Sequence, residues 1–199
     1  MKLNVPIKFK NGYEAITESD KKAKGEKNDC VVRAFMNGFD ISYDEAHKLI
    51  ESEFNRKKGK GTFNCANTMQ EVFTDKDALR YNENKKRPAK IVNGRKLVFL
   101  GNNPLVSNRN ILLNKLYPKK VYDEETRIYK KEYAGYTVGK FIQQHQFGTY
   151  IILVAKHALA VKDGVLIDNI NHDDTLLQNH LRDQRRCNQI FKVKKLQKD

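Results

Sequence analysis

The residues with the clearest chemical potential are one cysteine and one histidine that lie far apart in the chain. Cys30 follows the polar pair Asn28 and Asp29, at the point where the pattern turns into an amphipathic helix. His157 directly follows an apolar strand pattern and begins a second one. A helix start stabilises a thiolate through its unpaired N–H groups and its dipole, and a nearby imidazolium lowers the thiol pKa further. These two residue types in these settings are therefore typical of a cysteine nucleophile with a histidine general base.

A third group is predicted from the hairpin that follows His157. Asp163-Gly164 predicts a two-residue turn, and counting outward from it places Leu159 opposite Asp168. Side chains two positions apart share a face of a sheet, so His157 and Asp168 become diagonal neighbours. We therefore expect Asp168 to hold the imidazole in its useful tautomer. A β-bulge near His157 would shift this parity and make Asn169 the partner instead.

Each residue also has a simpler interpretation when it is considered alone. A free cysteine is often a small buried apolar residue, and a single histidine is often an ordinary surface residue.

An oxyanion donor is needed as well, and the candidates are the backbone N–H of Cys30 and the side chain of Asn28. No metal or other cofactor is expected. The cysteines Cys30, Cys65 and Cys187 form no zinc-binding spacing, and the carboxylates do not cluster with histidines.

The surrounding pattern predicts an α+β protein in which helices precede antiparallel strands. A first helix from Cys30 is predicted to end at Gly38, and Ser42 with Glu45 forms the capping box of a second. A third helix contains Ala66 to Phe73, and Thr137 caps a short fourth one. Strands are predicted at residues 96–101, 150–155, 158–162, 165–168 and 189–193.

Several stretches together resemble a group of small papain-like cysteine peptidase-fold proteins encoded by bacteriophages, over roughly residues 26–75 and 136–170. They are Asn28-Asp29-Cys30-Val31-Val32-Arg33-Ala34, Gly61-Thr62, Thr137-Val138-Gly139-Lys140-Phe141, and the strand, histidine and hairpin between Gly148 and Asp168. The resemblance implies a papain-like fold with Cys30 as nucleophile, His157 as base and Asp168 as third member. Papain-like peptidases carry an oxyanion glutamine six residues before the cysteine, where this chain has Lys24. The oxyanion hole is therefore either rebuilt or incomplete.

The positive charge of the chain is concentrated in its middle. The net charge is +14, and the segment from Lys85 to Lys120 contains ten Lys or Arg and no Asp or Glu. We predict an N-terminal arm over residues 1–27, then a papain-like domain over 28–199 with a basic insertion at about 76–135. A basic stripe favours a polyanion such as nucleic acid, although a solvated lysine-rich surface has the same composition. The candidate contacts are Lys85, Lys86, Arg87, Arg95 and Lys96.

Two functions remain open from the sequence. The first is a papain-like cysteine hydrolase that cleaves a peptide or isopeptide bond, with a protein or peptide as substrate. The second is a phage virion or anti-defence protein that binds nucleic acid or a host protein on the same scaffold, with little or no catalysis. We expect no membrane partner and a location in the host cytoplasm or the virion. The N-terminus lacks the apolar run of a signal peptide.

Overall fold

The computed structural model assigns a mixed α+β architecture to the described part of the chain. That part comprises residues 8–62, 64–75, 88–101, 119–123, 128–132, 138–154, 157–168 and 189–197. Within these ranges there are four α-helices, one short 3-10 helix, a six-stranded sheet and a separate two-stranded sheet. The predicted α+β class is therefore confirmed.

The helices precede most of the strands along the chain. They are α1 (Cys30–Phe39), α2 (Tyr43–Phe54), α3 (Cys65–Phe73) and α4 (Val138–Gln144), with the 3-10 helix at Lys21–Ala23. The strands are β1 (Lys8–Asn11), β2 (Arg95–Gly101), β3 (Lys119–Asp123), β4 (Ile128–Glu132), β5 (Thr149–Val154), β6 (His157–Lys162), β7 (Val165–Asp168) and β8 (Gln189–Lys195). None of the helices in the described ranges has the length and apolarity that a membrane span requires.

The main sheet has the strand order β1-β7-β6-β5-β8-β2, and only the β1–β7 pair is parallel. The predicted hairpin joins β6 to β7, with Lys162 opposite Val165. Both turn residues, Asp163 and Gly164, have positive φ, as the tight primed turns of hairpins require. This register fixes the positions of the residues that surround His157.

The edge strands lie in regions for which the sequence predicts an arm and an insertion. β1 lies within the predicted N-terminal arm, and its parallel pairing with β7 adds it to the sheet. β2 lies within the range predicted as a basic insertion, yet it pairs with β8. Leu97 of β2 is buried in the core, and Phe99 packs on Phe191 with ring centroids 5.2 Å apart. The apolar side chains of β2 therefore belong to the main core.

Apolar side chains on both faces of the sheet are buried. On one face Ile151 and Leu153 pack with α1, α2 and α3, whereas on the other Tyr150 and Ile152 pack with α4. The alternation along β5 follows from the two-residue period of a strand. A strand that is covered on both faces gives a continuous apolar pattern, as residues 150–154 do.

Helix α1 lies directly against this sheet, and Gly38 permits the close approach. A Cβ at Gly38 would lie 3.0 Å from the side chain of Ile151. The prediction that Gly38 ends the helix is wrong, because α1 continues to Phe39 and Asp40 forms the left-handed cap. The predicted capping box of Ser42 and Glu45 is confirmed at the start of α2.

Candidate active site

The candidate nucleophile, Cys30, is the first residue of α1, as the sequence predicts. Asp29 occupies the N-cap position, but its side chain makes no capping hydrogen bond. The N–H groups in the first turn of an α-helix have no acceptor within the helix. The thiol is only partly exposed. It therefore lies beside uncapped N–H groups in a largely desolvated position.

The imidazole and the carboxylate meet at one end of the sheet, where β5 ends, β6 begins and β7 ends. His157 is the first residue of β6, and Asp168 is the last residue of β7. His157 Nε2 donates a hydrogen bond to Asp168 Oδ1 at 2.7 Å. Their predicted proximity is therefore confirmed. The alternative partner, Asn169, lies outside the described residues.

Cys30 completes this cluster from the helical side of the molecule. The imidazole of His157 and the backbone N–H of Ala158 both act on its thiol, and both hold the thiol pKa below its usual value. Because Nε2 of His157 is already bound to Asp168, Nδ1 is the ring nitrogen that remains for Cys30. The chain thus arranges a thiol, an imidazole and a carboxylate in series, although they come from three separate elements.

The electrostatic environment favours an ion pair between Cys30 and His157. Burial would raise the pKa of the Cys30 thiol, but the hydrogen bond and charge of His157, the N–H of Ala158 and the charge of Arg33 together hold it below its usual value. Burial likewise opposes protonation of His157, yet its bonds to Asp168 and Cys30 raise its pKa to about 9. The two shifts have opposite signs and stabilise a thiolate beside an imidazolium. Such a thiolate is nucleophilic at neutral pH.

The candidate oxyanion residue, Asn28, lies in a loop that is held from several sides. Asn28 has positive φ and an exposed side chain, and its Nδ2 donates to the carbonyl of Gly59 at 3.3 Å. Gly59 N–H donates in turn to Glu26 Oε1 at 2.7 Å, and Arg56 Nη2 donates to the same oxygen at 2.6 Å. His47 Nε2 lies 3.2 Å from the other oxygen of Glu26. The buried part of this network, Glu26, His47 and Arg56, anchors the loop that precedes Cys30.

Two of the five candidate polyanion contacts, Arg95 and Lys96, are paired with acidic side chains. Arg95 Nη2 lies 2.7 Å from Asp40 Oδ2, and Lys96 contacts the carboxylate of Asp75. These pairs join β2 to the helical layer and neutralise two of the five candidate polyanion contacts. Lys85, Lys86 and Arg87 lie outside the described residues.

Three residues beside the nucleophile were not assigned roles from the sequence. Asp29, Arg33 and Tyr43 form a buried network at the start of α1. The i,i+4 spacing of Asp29 and Arg33 at a helix start is a signal for an ion pair. The contribution of Tyr43 comes from the packing of α2 against α1, which spacing along the chain does not reveal. The N–H of Ala158 is likewise a backbone group without a side-chain signal.

No family model, no curated protein and no solved structure matches this chain significantly. Within the described ranges, no group of three or more His, Cys, Asp or Glu side chains is arranged to hold a metal ion. The chemistry of the site is therefore argued from its own geometry.

Proposed function

We propose that this protein is a papain-like cysteine hydrolase that cleaves a peptide or isopeptide bond with Cys30, His157 and Asp168. The observation that carries the proposal is the 2.7 Å hydrogen bond between His157 and Asp168 Oδ1, together with the interaction of the same imidazole with the Cys30 thiol. The lowered pKa of the thiol and the raised pKa of the imidazole support it, because a preformed ion pair supplies both the nucleophile and the proton for the leaving group.

The reaction follows from the positions of these groups. The Cys30 thiolate attacks the carbonyl carbon, and the C–N bond breaks while the His157 imidazolium gives its proton to the departing amine. Water then attacks the resulting thioester, neutral His157 accepts its proton, and the carboxylic acid product leaves as the thiolate reforms. Asp168 holds the imidazole in place and stabilises its charged form throughout.

The oxyanion of each tetrahedral intermediate requires donors beside the sulfur. The backbone N–H of Cys30 is free of intrahelical bonding, and Asn28 supplies a side-chain amide from the adjacent loop. Asn28 already donates one hydrogen bond to Gly59, so a second N–H of the same amide would serve the oxyanion. This arrangement replaces the glutamine that papain-like peptidases have at the position of Lys24.

The direct test combines covalent labelling with hydrolysis. Purified protein is treated at pH 6 with an epoxide or iodoacetamide probe, the modified cysteine is mapped, and a panel of fluorogenic peptides and isopeptides is assayed. We expect one adduct on Cys30, and turnover of at least one substrate that the probe abolishes. Cys30→Ala should remove both signals, whereas the matched control Cys65→Ala should retain them.

The variant Asp168→Asn tests whether Asp168 orients the His157 imidazole, since it leaves the Cys30 nucleophile in place. It should lower kcat/KM about 10- to 100-fold, because general acid–base catalysis as a whole supplies about 10²- to 10⁴-fold. Selective labelling of Cys30 without turnover of any substrate in the panel would contradict the hydrolase proposal. It would favour a binding protein that retains a reactive thiol.

A further inference from the structure

Three side chains at the start of α1 form a compact buried network next to Cys30. Arg33 binds Asp29 Oδ1 with two nitrogens, Nε at 2.9 Å and Nη2 at 2.8 Å. The hydroxyl of Tyr43 donates to the other carboxylate oxygen, Oδ2, at 2.8 Å. Asp29 and Arg33 are 3% and 4% exposed, so this charge pair is almost completely removed from water.

The direction in which Asp29 points is unusual for its position. Aspartate at an N-cap ordinarily accepts hydrogen bonds from the first N–H groups of the helix. Here Arg33 and Tyr43 bind both carboxylate oxygens, and the side chain makes no cap bond. A capping carboxylate would place a negative charge beside the thiol and disfavour its ionisation. The network therefore keeps the N–H groups near Cys30 uncapped and turns the negative charge away from them.

Arg33 follows Cys30 by three residues in α1, which is about one helical turn. Residues three positions apart are neighbours on a helix surface, and the charge of Arg33 lowers the pKa of Cys30. Arg33 Nη1 is buried without a hydrogen-bond partner among the described residues, so the pairing with Asp29 leaves part of the guanidinium unbound. The ring of Tyr13 covers Arg33, with its centroid 4.4 Å from Cζ, and shields the charge from water.

The other groups that act on Cys30 come from two neighbouring elements. From β6, His157 and the N–H of Ala158 both favour the thiolate. From α3, Cys65 interacts electrostatically with Cys30 and is itself mostly buried. Within this set, Arg33 is the permanent cation, because a guanidinium does not lose its proton in proteins.

We propose that the Asp29–Arg33–Tyr43 network is a positioning device for Cys30, which holds the carboxylate away from the helix start and keeps the guanidinium one helical turn from the thiol. The inference rests on the proposed role of Cys30 as nucleophile. It assigns Arg33, Asp29 and Tyr43 as positioning residues, since each acts through Cys30 and not on the substrate.

The test is the pH dependence of Cys30 alkylation, measured by mass spectrometry between pH 4 and 10, with the melting temperature recorded for every variant. Arg33→Gln removes the cation and leaves the buried carboxylate of Asp29 without its counter-charge. It should move the midpoint of Cys30 alkylation upward by about one pH unit, which is a tenfold loss of thiolate at acidic pH. The double variant Asp29→Asn with Arg33→Gln removes both charges, so its midpoint should lie closer to the wild-type value than that of the single variant.

Two milder variants keep the test decisive if Arg33→Gln does not fold. Arg33→Lys retains the charge without the two-nitrogen contact, and it should restore a large part of the wild-type midpoint. Tyr43→Phe removes only the hydroxyl from Asp29 Oδ2, and it should raise the midpoint by less than about one pH unit. Both changes leave the volume of the buried site nearly unchanged.

A matched control separates charge from packing. Arg56 is also buried and ion-paired, with Glu26, and it supports the loop before Cys30. Arg56→Gln should lower the melting temperature while leaving the alkylation midpoint near its wild-type value. A midpoint in Arg56→Gln that shifts as far as in Arg33→Gln would overturn the inference, because both effects would then come from a loosened loop.

The failure of this inference is distinguishable from the failure of the proposed function. If wild-type Cys30 titrates like an ordinary thiol, the hydrolase proposal fails together with the inference. If wild-type Cys30 has a low midpoint that neither Arg33→Gln nor Tyr43→Phe changes, only the positioning role is wrong. A double variant that is shifted further than Arg33→Gln would also refute it, because neutralising Asp29 would then have relieved nothing.

Discussion

Among the described residues two cysteines begin helices, and their thiol pKa values are shifted in opposite directions. Cys30 is the first residue of α1, and Cys65 is the first residue of α3. Both are partly exposed, and neither helix has a side-chain hydrogen bond from its N-cap residue. The pKa of Cys30 nevertheless lies below its usual value, whereas burial and the nearby Cys30 raise that of Cys65 to about 12.

The difference comes from what each sulfur meets across the fold. Cys30 meets an imidazole and a backbone N–H from β6, both of which donate to a thiolate. The hydroxyl of Thr62 favours the ionised form of Cys65, but the thiol itself donates a weak hydrogen bond to Met69 Sδ at 3.8 Å, and a thioether does not compensate a negative charge. A position at a helix start therefore does not by itself activate a cysteine. The thiol is activated where a second element also supplies a cation and a hydrogen-bond donor.

The largest expected effect is a difference in alkylation rate between these two thiols. At pH 6 a thiol with a pKa of about 12 is ionised to only about one part in a million. We therefore expect iodoacetamide to modify Cys30 at least about 100-fold faster than Cys65, measured by peptide mapping over time. Cys187, which lies outside the described residues, should also react more slowly than Cys30. Equal rates at Cys30 and Cys65 would eliminate the contrast.

Removal of the imidazole should raise the pKa of Cys30 toward that of Cys65 and slow its alkylation. In His157→Ala the thiol keeps its burial but loses its hydrogen bond and its ion pair, so its pKa rises. Alkylation of Cys30 at pH 6 should slow by about 10- to 100-fold. His145→Ala is the control, since His145 stacks on Phe141 in α4 and belongs to a different part of the core. An unchanged rate in His157→Ala would show that the helix start by itself activates Cys30.

The pH dependence of hydrolysis should distinguish the two roles of the ion pair. His157 has a pKa of about 9, so the imidazolium is present below that pH and is lost above it. We expect kcat/KM to fall above about pH 9, because the leaving amine then has no proton donor, while alkylation of Cys30 continues undiminished. Asp168→Asn should move this alkaline limb toward lower pH, because Asp168 helps to raise the pKa of His157. Parallel declines in alkylation and hydrolysis would contradict this assignment.

The sequence predicts the parts of the site that depend on local pattern. The capping box of α2, the start of α1 at Cys30 and the hairpin register that brings Asp168 to His157 all follow from short-range spacing. Local pattern does not predict that β1 joins the sheet beside β7 in parallel, since this pairing connects distant segments. Local pattern does not predict the network of Asp29, Arg33 and Tyr43 for the same reason, because Tyr43 comes from another helix.

The difference in pKa between Cys30 and Cys65 also cannot be predicted without the fold. Both residues stand at helix starts. The sequence attaches chemistry to Cys30 through its predicted helix start together with the pattern around His157. Which helix start faces the end of β6 depends on how α1 and α3 pack on the sheet. Packing of this kind is set by many apolar contacts at once, and residue spacing does not encode it.

The smallest expected effect comes from removal of the second thiol. Cys65 interacts with Cys30 electrostatically, but it stays protonated over the working pH range and so contributes little charge. Cys65→Ala should therefore change the alkylation rate of Cys30 by less than about twofold. It should also lower the free energy of unfolding by about 1 kcal/mol, because a mostly buried side chain is shortened. A much larger change in Cys30 reactivity would mean that the two thiols act as a pair, and Cys65 would then no longer serve as an inert reference for Cys30.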